Sequence, residues 1–122
     1  MSIPIESILQ AALRGLSLRQ RVTADNIANA DTPGYKARIV SFEQELRSAM
    51  RQAADGDALL NAATPEIYET TNRTGRADGN SVDLDQELLT MTETSLRYNA
   101  VAQAVASRLA LYRAILTDGR GG

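Results

Sequence analysis

Four carboxylates stand close together ahead of the last long apolar segment of this chain: Asp78, Asp83, Asp85 and Glu87. Alternating carboxylates before a helix are how calcium loops present oxygen ligands. The spacing defeats that reading. Asp83 occupies the position where such a loop needs its sharp-turn glycine, and the bidentate glutamate does not fall where the loop requires it. Asp83 and Glu87 could divide acid and base work if an apolar pocket drove their pKa values apart. They lie in a polar, turn-rich stretch, so exposed and ionised carboxylates are expected. Helix capping accounts for the same residues: Asp83 with Gln86 resembles a capping box, and Asp85 and Glu87 put negative charge on a first turn, where the macrodipole favours it.

The remaining chemical inventory is short. The chain has no Cys and no His, which removes disulfides, thiolates and the Ser-His and Cys-His nucleophile pairs. An enzyme would have to work with carboxylates, hydroxyls, Tyr and the lone Lys36. No catalytic, cofactor-binding or metal-binding residue is assigned, and no enzymatic activity is expected. One other polar pair stands out: Asn26 and Asn29 fall on one helical face in place of apolar residues. Asn is a poor helix former. The two amides either help to end the helix or make hydrogen bonds across an interface, fixing register in an apolar seam.

The elements that carry these residues are expected to be helices. Over residues 3–30, Ile5, Leu9, Ala12 and Leu16 recur at helical spacing, with Pro4 tolerated in the first turn. Thr32 precedes Pro33, and Pro33-Gly34 suits the two central positions of a type II turn, so the helix stops there. Over residues 83–116, Leu84, Leu88, Met91, Ser95, Tyr98, Ala102, Val105, Leu109, Tyr112 and Leu116 form a sustained heptad seam. Thr117-Asp118-Gly119 and Gly121-Gly122 are expected to end it as a frayed tail. Between the two, residues 41–53 suit a short helix with Phe42, Leu46 and Met50 on one face. From residue 54 to 80, turn residues predominate, including those at 70–75 and 78–80, so a long mobile loop is expected, with a short extended piece around Ile67 and Tyr68. The fold class is therefore read as all-α, two long terminal helices pairing as an antiparallel coiled coil, in a single domain over 1–122 divided at 1–31, 32–82 and 83–117.

Composition is consistent with an aliphatic core: 43% apolar residues, one Phe and no Trp. A net charge of -2 argues against a nucleic-acid partner, which needs a clustered basic surface. The N-terminus has no basic region and no long apolar run, so neither a cleaved signal nor a membrane span is expected, and the usual routes would leave the protein in the cytoplasm.

Apolar residues are too widely spread for one partner. Ile5, Ile8, Leu9, Ala12, Leu13, Leu16, Leu18 and Val22 cover roughly 200° of the first helix, against the 100° or so that one neighbour needs. The end of the second helix behaves alike, with Val105, Leu109, Leu111, Tyr112, Ile115 and Leu116 on several faces. Other subunits are expected to cover the excess. The helices also differ in length, and the arrangement expected is one with the chain termini level, so that Phe42, Leu46 and Met50 fold back over Leu84, Leu88 and Met91.

The stretch from Arg21 to Arg38, with Ala30-Asp31-Thr32-Pro33-Gly34-Tyr35-Lys36-Ala37-Arg38 at its end, resembles the N-terminal signature of the flagellar rod and axial protein family, in its proximal rod form. Asp78-Gly79-Asn80-Ser81-Val82-Asp83-Leu84-Asp85-Gln86-Glu87 and Leu96-Arg97-Tyr98-Asn99-Ala100 resemble that form's C-terminal motif. Ile39-Val40-Ser41 departs from the family, which tends to carry a charged residue and an Asp before Phe42. The resemblance implies a structural subunit that polymerises through its terminal helices into the helical rod of the flagellar basal body. That rod transmits torque and encloses the export channel. It also implies a periplasmic destination reached without a cleaved signal, through the flagellar type III export apparatus. Partners implied are further copies, other rod proteins, the rod-to-membrane-ring adapter and the MS ring. Pattern and resemblance together assign the assembly surface to Ile5, Leu9, Leu13, Leu16, Val22, Asn26, Asn29, Pro33, Gly34, Tyr35, Val105, Leu109, Tyr112 and Leu116. The alternatives are a cytoplasmic coiled-coil adaptor or export chaperone dimerising through the 84–116 seam, and a carboxylate enzyme.

Overall fold

A computed structural model describes residues 3–70 and 76–120, and the turn expected at 71–75 and the tail at Gly121 and Gly122 lie outside the described residues. The order is α1 (Ile5–Ala28), β1 (Arg38–Ser41), α2 (Glu43–Gln52), α3 (Gly56–Ala62), β2 (Glu66–Glu69) and α4 (Leu84–Arg120). Pro4 is the extended N-cap of α1. Past its far end the Tyr35 N–H donates to the Thr32 carbonyl at 3.2 Å, closing a turn. Gly34 has a φ of 76°, so Pro33-Gly34 takes the type II form that only a permissive second residue allows.

The terminal helices pair antiparallel. Arg108 bonds Glu6, Gln20 bonds Ser95 and Asn26 bonds Glu87, so residue numbers facing each other sum to nearly a constant along the whole pair. The turn ends are level, which overturns the expected level termini. Residues 110–120 of α4 therefore run about 16 Å past the start of α1.

The all-α reading is corrected by a two-stranded antiparallel sheet, β1 with β2, in the register Arg38↔Glu69, Ile39↔Tyr68, Val40↔Ile67 and Ser41↔Glu66. Each strand has four residues, too few to show a period, and the pairing is non-local because α2 and α3 intervene. The long loop expected over 54–80 contains a helix, α3, while the extended piece expected around Ile67 and Tyr68 is β2. Asp55 caps α3 by accepting from the Ala58 N–H at 2.8 Å. The expected frayed stretch at 117–119 is also corrected, since α4 continues to Arg120.

Two small cores hold the middle against α1. Ala11, Ala49, Leu59 and Ala63 form one, and Leu16, Val22, Val40 and Phe42 the other, with Leu46 packed beside both. Phe42 lies so close to α1 that a Cβ on Gly15 would sit 2.3 Å from its ring. α2 thus packs on α1 and α3, not over the start of α4, and Leu84, Leu88 and Met50 stay exposed. The reason is the level turn: with α1 reaching the start of α4, there is no uncovered stretch there for α2 to fill.

Candidate functional site

The two stretches that carry the resemblance lock onto each other. Asn26 is completely buried. Its Nδ2 donates to the Arg38 carbonyl at 2.8 Å and to Glu87 Oε2 at 3.1 Å. Its Oδ1 accepts from the Arg38 N–H at 3.0 Å and the Tyr35 hydroxyl at 3.2 Å. Asn80, equally buried, donates to the carbonyls of Asn29 at 2.9 Å and Thr32 at 2.7 Å, while its Oδ1 accepts from the Val82 N–H at 2.7 Å. Ser81 Oγ accepts from the Ala37 N–H at 2.8 Å. The lone Lys36 donates to the Gly79 carbonyl at 2.6 Å. Buried polar groups are costly unless satisfied. Here the amides of Asn26 and Asn80 supply the bonds that two irregular backbone segments cannot make for themselves.

Below this lock the facing residues of α1 and α4 are polar or small. Thr23, Glu87 and Thr94 are buried, and Tyr98, Val101 and Val105 are half-buried. The expected seam shared Met91, Tyr98, Val105 and Tyr112 with this line, but its other half is turned by one residue near the lock. Glu87 and Thr94 are the buried residues where Leu88 and Ser95 were expected, with Ser95 bonding Gln20 at the edge of the pair; farther on, Val101 and Ala102 are both half-buried, and Arg108 and Leu109 both line the groove with α1. Asn26 on α1 presents a polar partner to Glu87, and a leucine opposite it would leave that amide short of a bond. Leu88, Leu89 and Leu96 consequently point outward.

At the free end the character changes. Leu9, Leu13, Val105 and Leu109 line an apolar groove of about 280 Å³, closed at its rim by Glu6, Gln10, Arg108 and Tyr112. The Tyr112 hydroxyl and the Arg108 guanidinium both donate to Glu6. The Tyr112 bond, then the backbone and Arg108, lower the Glu6 pKa to about 2. From Leu109 at the groove's edge outward, Leu109, Leu111, Ile115 and Leu116 are 54%, 56%, 58% and 70% exposed. At 100° per residue they stay within about 160° of arc centred near the line that faces α1 lower down.

The expected assembly residues therefore separate into groups. Leu16 and Val22 are core, and Asn26 and Tyr35 belong to the lock. Asn29 ends α1, donating to the Asp25 carbonyl at 2.8 Å. Pro33 and Gly34 form the exposed turn. Ile5, Leu9, Leu13, Val105, Leu109, Tyr112 and Leu116 gather at the open end. Sequence reasoning missed Asn80, Ser81, Glu87 and Thr94 as buried partners, and the Arg19 ion pair with Glu43 at 2.6 Å. Burial pushes the Glu43 carboxyl up, but the Arg19 guanidinium outweighs it and the net direction is down. A signal for Asn80 existed: a second Asn in a turn motif, matching the Asn pair on α1. Asp78 and Asp83 act as caps, accepting from the N–H groups of Asn80 and Gln86. Among the described residues no cluster of three acidic side chains could hold a metal, and no helix is long and apolar enough to cross a membrane.

Comparison with known proteins bears on what such a surface is for. Residues 8–36 match the family described as flagella basal body rod protein. The chain is 34% identical to the flagellar basal body rod protein FlgB of Escherichia coli K12, over 90% of this chain and 91% of that one. It is 36% identical to that of Aeromonas hydrophila over 84% of each chain, and 27% identical to that of Bacillus subtilis over 92% of each.

Proposed function

The chain belongs to the FlgB family of flagellar basal body rod proteins, and from that premise we propose how its geometry serves a rod. It is a structural subunit of the basal body rod and not an enzyme. It assembles with other rod components. In our reading, it polymerises through its terminal helices, and the open end of the α1–α4 pair is the surface it uses. One observation carries this: α4 outruns α1, and Leu109, Leu111, Ile115 and Leu116 form a broad apolar face at that end, each more than half exposed. An apolar helix face of that length needs a neighbour. A head-to-tail contact that does not close generates an open helical tube, the form a rod requires.

Such a tube would enclose an export channel and transmit torque. The subunit would reach the periplasm through the flagellar type III export apparatus, without a cleaved signal. Its end partners would be the rod-to-membrane-ring adapter and the MS ring. Electron microscopy of the purified chain at rising concentration tests the assembly reading. Filaments or rings are expected. Discrete dimers at every concentration would instead support a closed coiled-coil adaptor or export chaperone.

A further inference from the structure

The hairpin and the helix after it carry two exposed patches of opposite charge. On the hairpin's outer face, Ile39 and Tyr68 sit opposite each other, 39% and 49% exposed. Glu66 accepts from the Tyr68 hydroxyl at 2.5 Å, and Glu45 accepts from Ser41 Oγ at 3.4 Å. Together the two carboxylates push the Tyr68 hydroxyl pKa up, Glu66 through its hydrogen bond first and Glu45 least, so both fields converge on the ring's polar edge. The inner face, with Val40, faces the core and is not available.

The exposed ridge of α2 is the counterpart. Arg47, Met50 and Arg51 lie side by side on it, and Met50 is 45% exposed. Among the described residues neither arginine has an ion pair or a side-chain hydrogen bond. They stand one helical turn apart, about 5–6 Å between their Cβ atoms. Glu45 and Arg47 are two residues and hence about 200° apart around α2, so the ridge cannot fold onto the acidic face of its own chain.

We propose that the outer hairpin face, Ile39 and Tyr68 framed by Glu45 and Glu66, receives the α2 ridge Arg47, Met50 and Arg51 of a second copy. The match is two cations flanking an apolar side chain against two anions flanking apolar side chains. A guanidinium stacks on a tyrosine ring while pairing with a carboxylate. The two patches differ, so the copy that gives its ridge keeps its hairpin face free for the next. The contact is therefore heterologous and repeats without closing. It rests on the reading of the chain as a polymerising subunit. Patches this small fall short of a stable interface alone. Their role is to select and orient the neighbour while the apolar open end supplies affinity.

Charge exchange in the full chain tests it, read as the concentration at which half the protein sediments as polymer. Arg47→Glu with Arg51→Glu should raise that concentration about tenfold, and so should Glu45→Arg with Glu66→Arg. An equimolar mixture of the two double variants restores opposite charge at every junction, and should polymerise within about threefold of the parent. Circular dichroism of each variant confirms the fold. Rescue in the mixture establishes the contact, and two unaffected double variants, or no rescue, overturn it. Single-cysteine chains, Met50→Cys mixed with Tyr68→Cys, give a readout independent of polymer length. A mixed disulfide is expected. Crosslinking at Leu116→Cys without any at the 50–68 pair would sink this contact and leave the assembly reading standing. No intermolecular crosslink anywhere at high concentration would sink both.

Discussion

Replacing Asn26 should unfasten the turn end of the helix pair, and the geometry sets how much. In Asn26→Ala, the Arg38 N–H and C=O each lose a partner at 3.0 and 2.8 Å, and Glu87 loses a donor at 3.1 Å. A buried group left without a partner costs about 1–3 kcal/mol. The Tyr35 hydroxyl is half-buried and rehydrates, and water entering the vacated space recovers part of the rest. A net loss of about 3 kcal/mol follows, a large share of the 5–15 kcal/mol typical of a folded domain. Asn26→Asp is the sharper variant, because it keeps the shape but turns the donor into an anion. That anion faces Glu87 and the Arg38 carbonyl, and two unit charges about 4 Å apart at an effective dielectric near 20 repel by about 4 kcal/mol. Asn29→Ala is the internal control: among the described residues its side chain bonds only to Asp25 and Thr32, at exposed positions, and its loss should cost under about 1 kcal/mol. Urea unfolding of the full chain, followed by far-ultraviolet circular dichroism, ranks the three. The expected order of loss is Asn26→Asp, then Asn26→Ala, then Asn29→Ala. Equal effects at positions 26 and 29, or an aspartate milder than alanine, would refute the account of Asn26 as the buried hub.

Other consequences are checked more simply. Gly15→Ala should destabilise by about 1–3 kcal/mol, since its Cβ would meet the Phe42 ring; a thermal melt reads it, and Phe42→Leu should restore part of the loss. Leu109→Asp should abolish polymer in sedimentation while lowering monomer stability by only about 1–2 kcal/mol, because Leu109 is already 54% exposed. Asp85→Asn should cost at most about 1 kcal/mol through a weaker first turn of α4. The Glu6 carboxylate should titrate near 2 rather than 4.5. Its folded pKa lies below the unfolded one, so its contribution is present above 4.5 and is lost as pH falls through 2. Carbon-detected NMR titration should show the midpoint moving upward in Tyr112→Phe, and a smaller upward shift in the parent at high salt as the Arg108 charge is screened.

The long helices, the stop at Pro33 and the short helix before residue 53 were legible, because repeated spacing and proline stereochemistry are local properties. Which side of α4 faces inward was not. Hydropathy ranks Leu88 above Glu87, yet Glu87 is the buried one because α1 offers Asn26 as a partner. Polar pairing across two helices is invisible until both are aligned. The hairpin escaped for a related reason: Ile39-Val40 and Ile67-Tyr68 carry strand-forming residues, but only their pairing, over a connection holding two helices, makes them strands. Of the residues expected at an assembly surface, those that the structure gathers at the open end stood out in the sequence only as excess apolar surface. Leu16 and Val22 were not separable from them, since core and interface leucines look alike in sequence.

The placement of polar residues inside and leucines outside has a physical logic for a subunit that assembles. Apolar seams are non-directional, so a pair of helices joined by leucines alone could slip by a heptad, about 10 Å, at modest cost. Slipping here would separate Asn26 from Glu87, leaving buried groups unpaired, and would also break the exposed pair of Glu6 with Arg108. The lock therefore fixes one register, and the register fixes how far α4 extends beyond α1. In the proposed assembly that length must be identical in every copy, because each overhang would be the next contact. Keeping the leucines on the outer faces then leaves the larger, less specific share of the attraction to form between copies, after the geometry of each copy is already set.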